Sequence, residues 1–396
     1  MAFSLTLSGA LAGDMPRDVI RRMALVGLIA FFTLIDLFAA QALAPQLTAA
    51  YGVEAATMGL ALNLATVGMA VAGLTVAWFS DRIDRRLGIW LSLALLAVPT
   101  ALLGVTEDIG VFMVLRILQG ACMATAFTLT MTYLSEVCDK TAAAGALAGY
   151  VTGNVASNLF GRLLASEVAA DIGVANTFFV FAALNLAGAV LALAVIGLRS
   201  ASQPAPSGPP LAAWRAHAAH PGLRAAFAIG FLILFVFVGV FTYVNFELVG
   251  PAYALDAATL GLVYFVFVPA MITTPMAGDL VARFGVRPLF WASAAVSVAG
   301  LGATLIGALP ALLAGLAVIG AGTFLMQAAA TAYVGRTATA NRAAANGLYL
   351  TSYYAGGLAG AFAVGLVYQS AGWSGAALVS AMALGASALL ARALRD

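Results

Sequence analysis

From position 23 the apolar residues run almost to the C-terminus, interrupted only by short clusters of charge, proline and glycine. A helix needs about 20 apolar residues to cross the hydrocarbon core of a bilayer. Cutting the chain at its clusters predicts spans over 23–44, 57–79, 87–106, 109–135, 141–161, 172–198, 225–248, 257–278, 288–309, 310–335, 343–367 and 373–391. Two of these cuts carry no charge. Residues 288–335 form a 48-residue uncharged run, too long for one span, and Gly307 to Pro310 supplies its turn because proline cannot continue a helix past its first turn. The 49 uncharged residues 343–391 divide at Gln369 to Gly372. The expected fold is all-α, with twelve transmembrane helices.

Composition supports the membrane assignment. Of 396 residues, 63% are apolar and 9% charged, against about 25% charged in soluble domains, and the mean hydropathy is +1.03. Disorder, fibrous repeats and a secreted disulfide scaffold are excluded. A net charge of +2 says little about partners, and Cys122 and Cys138 suggest neither a disulfide framework nor a metal cluster. Residues 1–20 lack the basic start and cleavage site of a removed signal peptide. Asp14, Arg17, Asp18, Arg21 and Arg22 read as a short polar segment on the membrane surface.

Cations concentrate on the cytoplasmic side of membrane proteins. With the N-terminus inside, the inner segments hold 16 of the 18 cations, and the outer loops hold only the acids Glu54, Glu107, Asp108, Glu167, Asp171 and Asp256. This phase predicts that both ends are cytoplasmic. Residues 199–222 hold five of the 13 prolines and both histidines. They read as a semi-rigid linker, with a short interfacial helix over 211–219 around Trp214, between halves at 1–198 and 223–396. The segment Ala77 to Arg86 resembles Gly278 to Arg287, with Arg82 and Arg283, and likewise Arg86 and Arg287, 201 positions apart. Parallel repeats of this kind are a transporter signature, with the substrate site between the repeats.

These motifs resemble the major facilitator superfamily along essentially the whole chain. The loop after span 2 keeps Asp81, Arg82, Arg85 and Arg86 of the pattern G-x-x-x-D-R-x-G-R-R, with Ala77 and Asp84 replacing its glycines. Arg116, Gln119 and Gly120 follow the R-x-x-Q-G pattern of span 4. Gly145, Gly149 and Gly153 resemble the span 5 motif of drug:proton antiporters, with Tyr150 and Asn154 replacing its Pro and last Gly. Span 11, from Asn346 to Gly357, looks like that of arabinose-efflux-type exporters. The resemblance implies two six-helix halves, a cavity lined by spans 1 and 4, and a monomer in the plasma (bacterial inner) membrane. It also implies that the loop of Asp81, Arg82, Arg85 and Arg86, with Arg283 and Arg287, gates the cytoplasmic side.

Ionisable groups inside a membrane mark function by default. Inside the windows these are Asp36, Arg116 and Glu247. At 1.5 Å per residue Asp36 lies about 9 Å and Arg116 about 10 Å below the outer edge of a 30 Å core, so the two are expected to compensate each other and form a proton-coupling pair. Candidate substrate contacts are Asp36, Gln119, Asn154, Asn158, Tyr243, Asn245, Gln327 and Tyr353; of the adjacent Tyr353 and Tyr354, one is expected to face lipid or another helix. Asn154 and Asn158, four apart, are read equally as substrate contacts or as interhelix bonds. Gly120, Gly145, Gly149 and Gly153 read as helix-packing positions. Arg162, just past span 5, is expected to snorkel to headgroups, and Glu247 to lie at the hydrated outer end of span 7.

Lys140 is the only lysine, so no Walker-type ATP site exists. Both histidines sit in the linker, which removes haem ligation in the bundle and a zinc-protease helix. No cofactor, metal or nucleic acid is implied. The expected function is secondary active transport of a small molecule with protons, as export by antiport. Uptake by symport stays open, and a membrane enzyme or sensor would need a polar catalytic cluster or a soluble domain.

Overall fold

The computed structural model describes residues 17–79, 83–137, 140–196, 210–338 and 342–394, and every regular element among them is helical. Lipid imposes this on an open chain, because backbone groups that meet no water must bond within their own segment. Span 1 is Arg17–Ala42, continued by Ala44–Tyr51 after a bend of 61°. Span 2 is Ala55–Asn63 with Ala65–Phe79, span 3 Arg85–Leu103, span 4 Ile109–Val137, span 5 Lys140–Ile172 and span 6 Val174–Val195. Span 7 is Pro221–Val249, span 9 Val286–Ala303 and span 10 Leu309–Thr337. Spans 11 and 12 share the run Arg342–Leu390, divided at Gly372.

Both uncharged cuts fall where the sequence places them. Gly307 has φ +79° and Pro310 sits in the first turn of span 10. Gly372, at φ 63° and ψ −160°, takes a conformation that L side chains rarely adopt. Span 8 covers Thr259–Phe284 and carries 3₁₀ turns at Tyr264–Phe267 and Thr274–Met276. Pro269 and Pro275 remove the amide donors that would keep those stretches α-helical.

Several boundaries differ from expectation by a turn or more. Span 1 starts at Arg17, so the polar residues from Arg17 to Arg22 belong to its first turns. Span 5 continues to Ile172, well past residue 161. The linker helix forms over Pro210–Ala219, with Trp214 edge-on to Trp78 at 5.5 Å between ring centres.

Span 1 packs along span 5 in the first half as span 7 packs along span 11 in the second. The halves meet where span 2 lies on span 11 and span 5 on span 8. A Cβ on Gly153 would overlap the Gly27 backbone of span 1, and one on Gly356 the Phe231 backbone of span 7. Gly120 approaches the Ala65 backbone of span 2 in the same way. These glycines set helix separation, and the surroundings of Gly145 and Gly149 lie outside the described residues. Large apolar side chains such as Val190, Ile306 and Leu389 remain open on the periphery, the surface that hydrocarbon covers. Span 1 begins and span 12 ends at one face of the bundle, termed here the terminal face. The turns at Gly52, Gly104, Gly173, Gly250, Gly307 and Gly372 define the loop face.

Candidate functional site

The buried polar side chains of the first half form two clusters. The first lies wholly within that half, among spans 1, 3, 4 and 6. Arg116, fully buried, donates through Nη1 to Gln119 Oε1 (2.6 Å) and to the Asp36 carbonyl (3.4 Å). Its Nε donates to the Leu62 carbonyl (2.9 Å), beside the break in span 2 at Leu64. Gln119 Nε2 and Asn185 Nδ2 both donate to Thr100 Oγ1, at 2.7 and 3.1 Å. The Asp36 carboxylate feels the Arg116 charge and the Asn185 amide, yet its Oδ2 has no hydrogen-bond partner, and neither does Arg116 Nη2. Asp36 and Arg116 are thus neighbours, joined through a backbone carbonyl, with one atom of each left unpaired.

The second cluster bridges the halves near the loop face. Its origin is Pro45, which has no N–H to give to the carbonyl of Gln41 four residues earlier. Span 1 bends there, and Asn245 Nδ2 of span 7 donates to that carbonyl instead (2.9 Å). The Gln41 side chain donates to Asn63 Oδ1 (2.6 Å), and Asn63 Nδ2 donates to Thr242 Oγ1 of span 7 (3.2 Å). Tyr264 of span 8 donates to Asn245 Oδ1 (2.8 Å). At the centre stands Arg162. Far from snorkelling, its guanidinium is 0% exposed. It donates to Gln41 Oε1 (2.5 Å), Asn158 Oδ1 (3.1 Å) and the Phe241 carbonyl (3.3 Å). It is also ringed by Tyr264, Phe267, Phe38 and Phe241, at 4.9 to 5.9 Å from their centres.

A central cavity lies on the terminal-face side of this seal. Gln41 and Phe38 close its top, and Thr66, Asn154, Gln327 and Tyr353 are on its wall. Three of the candidate substrate residues, Asn154, Gln327 and Tyr353, therefore line it, and Tyr354 lines it as well, so both adjacent tyrosines face inward. The other candidates stand elsewhere. Asp36 and Gln119 point into the first-half bundle, because the cavity stripe of span 1 is Leu34, Leu37, Phe38 and Gln41. Asn158 and Asn245 are committed to the seal. Tyr243, fully buried, donates to the Ala361 carbonyl (2.6 Å), and its hydroxyl fills the space over Gly59 and Gly365. Glu247 is half-buried, with the Tyr368 phenol beside it.

At the terminal face, Asp81 and Arg82 lie outside the described residues. Arg85 is buried and reaches the Ile83 carbonyl (3.3 Å). Arg86 donates to the Leu193 carbonyl at the end of span 6 (2.7 Å), and Arg287 donates to the Leu394 carbonyl after span 12. Both pairs are 107 residues apart, so the repeat extends to the partner as well as to the arginine. Arg283 lies over the Phe284 ring at 5.1 Å. Among the described residues no group of three or more His, Cys, Asp or Glu is placed to hold a metal ion.

A multi-pass helical bundle whose two halves enclose a cavity, sealed at one face by bonds between them, has the architecture of an alternating-access membrane carrier. The Major Facilitator Superfamily model matches residues 26–267 and 246–396, and the chain belongs to that family. The inner membrane transport protein YnfM of Escherichia coli (strain K12) is 27% identical over 350 residues, covering 88% of this chain and 84% of that protein. The uncharacterized MFS-type transporter YybF of Bacillus subtilis (strain 168) is 25% identical over 349 residues, covering 87% and 86%. In fold alone, the chain is similar to a bacterial homologue of the human lysosomal transporter Spinster, solved inward-facing and occupied. The TM-score is 0.74 at 14% identity, covering 96% of this chain and 97% of that one. A mutant of the nucleoside transporter NupG gives 0.75 at 12% identity, covering 96% and 100%. The chain is a multi-pass membrane transporter and not an enzyme.

Proposed function

We propose that this transporter is a proton-coupled secondary carrier that exports a small molecule by antiport, and that Asp36 and Arg116 are its coupling pair. The observation that carries this reading is the unpaired Asp36 Oδ2 buried beside the unpaired Arg116 Nη2. Two such groups in a dry interior do not stay charged and separate without cost. A proton on Asp36 supplies a donor to the orphaned oxygen. Loss of that proton leaves a carboxylate that a small shift of span 1 against span 4 brings onto the guanidinium. Protonation and the relative position of two spans are then one equilibrium, which is what coupling requires. Because the pair stands behind the cavity wall, it acts through helix position and does not touch the substrate.

Export is preferred to uptake on the likeness of Gly145, Gly149 and Gly153 of span 5 to the drug:proton antiporter motif. Asn154, Gln327 and Tyr353 are the substrate contacts in this reading. The halves 1–198 and 223–396 move against each other about the linker, both chain ends are cytoplasmic, and the loop holding Asp81, Arg82, Arg85 and Arg86 forms the inner gate with Arg283 and Arg287. The test uses a compound against which overproduction of the chain protects cells, followed in inverted membrane vesicles. Asp36→Asn is expected to abolish uptake driven by a pH gradient while preserving substrate exchange at equal pH. Gradient-driven accumulation at the wild-type rate in Asp36→Asn would remove the coupling role.

A further inference from the structure

The buried charges of the spans do not balance. Asp36 stands against Arg116, but no described carboxylate pairs with Arg162, whose partners are three neutral amide oxygens and the Tyr264 phenol. Burying a cation without an anion costs several kcal/mol. Four aromatic rings offset part of that cost. The arrangement holds a strong anion-binding group with its natural partner missing.

Access to that group runs past two side chains, of which Gln41 is the one bonded to it. Gln41 and Phe38, which close the top of the cavity, are also residues that touch Arg162. Between the cavity and the guanidinium stand the Gln41 amide and the Phe38 ring. Asn158, bonded to the same guanidinium through Oδ1, keeps a buried Nδ2 with no acceptor. The locality therefore offers donors in excess, and its other cavity wall, with Phe237 and Phe324, is aromatic.

We propose that Arg162 recognises an anionic substrate, a carboxylate that displaces the Gln41 amide oxygen from its guanidinium. This rests on the reading of the cavity as the substrate site and adds the substrate's charge. A carboxylate can engage a guanidinium through two oxygens in a bidentate pair that a single amide oxygen cannot make, so the exchange favours a carboxylate over its amide. The exchange also has a mechanical consequence. The Gln41 side chain bonds Asn63, which in turn holds Thr242 of the second half. A ligand that turns Gln41 away from Arg162 loosens that bridge and shifts the carrier toward opening at the loop face, the differential contact that a ligand-driven change demands.

The test is equilibrium binding of benzoate, with benzamide as its neutral isostere, to the purified full-length chain in detergent. Benzoate is expected to bind at least about tenfold tighter than benzamide, a difference of about 1.4 kcal/mol. Gln41→Glu, which places a resident carboxylate on Arg162, should weaken benzoate at least about tenfold without lowering the unfolding temperature. Gln41→Ala, which leaves nothing to displace, should strengthen it. Equal binding of the two probes, no benzoate binding to the wild type, or weaker binding to Gln41→Ala would overturn the proposal. If Gln41→Glu fails to fold, the opposite sign demanded of Gln41→Ala still decides. No proton gradient enters these measurements, so their failure leaves the coupling role of Asp36 untouched, and the converse holds.

Discussion

The two halves share a scaffold and differ in their interiors. Each has one helix pair locked by a glycine on a facing backbone, Gly153 on span 1 and Gly356 on span 7, and each ties an arginine to the end of its last span. Yet Asp36, Arg116 and Arg162 are all buried in spans 1–6, whereas no charged side chain among the described residues of spans 7–12 is buried. The second half fills its centre with Phe237, Phe241, Phe267 and Phe324 in mutual ring contact, and with Tyr349, Tyr353 and Tyr354. Repetition has kept the parts that set helix spacing and left the chemistry to one side. The division suits alternating access. On the second half's side the parting surface is aromatic and hydroxyl and strands no charge of its own, whereas Arg162 gives up the Phe241 carbonyl and the Tyr264, Phe241 and Phe267 rings, so the cost of opening is concentrated on one first-half residue.

The sharpest way to break that contrast is to remove a charge from the first half. Arg116→Gln leaves the Asp36 carboxylate uncompensated and Gln119 short of a donor. Loss of one member of a buried pair costs about 3–5 kcal/mol, and unfolding in mixed micelles should show a loss of that size. The double variant Asp36→Asn with Arg116→Gln should recover much of it. If Arg116→Gln alone is nearly neutral, the pair is not an electrostatic unit and the asymmetry between the halves is only compositional.

The next comparison tests the shared scaffold. Alanine at Gly153 or at Gly356 puts a methyl group onto opposing backbone, and overpacking of this kind costs about 1–3 kcal/mol. The two substitutions should be similar in size. Gly385→Ala, with nothing within 4 Å of the added carbon, should instead stabilise by up to about 1 kcal/mol from helix propensity. A large effect in one half and none in the other would mean that the pseudo-equivalent helix pairs carry different loads.

Much of this was legible in the chain. The twelve spans, the two uncharged turns and the linker helix follow from the length of apolar runs and from where glycine and proline interrupt them. The site was harder to read, for a physical reason. Cutting spans at charges presumes that a charge marks water, and Arg162 therefore closed span 5, although Leu163 to Ile172 continue its helix. Depth along a helix is readable from residue count, but azimuth is not. Matched heights put Asp36 and Arg116 side by side, and Arg116 reaches the Asp36 carbonyl, while the charge of Asp36 suggested the cavity wall. The signal for the true wall was present in the spacing of Leu34, Leu37, Phe38 and Gln41, three and four apart on one helical face. Pro45, four residues after Gln41, also announced a carbonyl in need of an outside donor.

The smallest expected effect tests how deep the repeat goes. Arg86 and Arg287 are 201 positions apart, and so are the carbonyls they reach, at Leu193 and Leu394. Each arginine is half-buried and adds a cation to the C-terminal end of a helix, a placement that contributes about 0.3–1 kcal/mol. Each bond lies within its own half, so neither holds the halves together in the present arrangement. Substitution to glutamine should therefore cost each half the same small amount, measured as paired shifts in unfolding temperature, and the double variant should show the sum because the sites are far apart. An Arg86→Gln defect confined to transport, with stability unchanged, would show instead that this arginine exchanges partners during the cycle. The gate would then be built from the first-half copy alone, and the terminal face would follow the same division of labour as the interior.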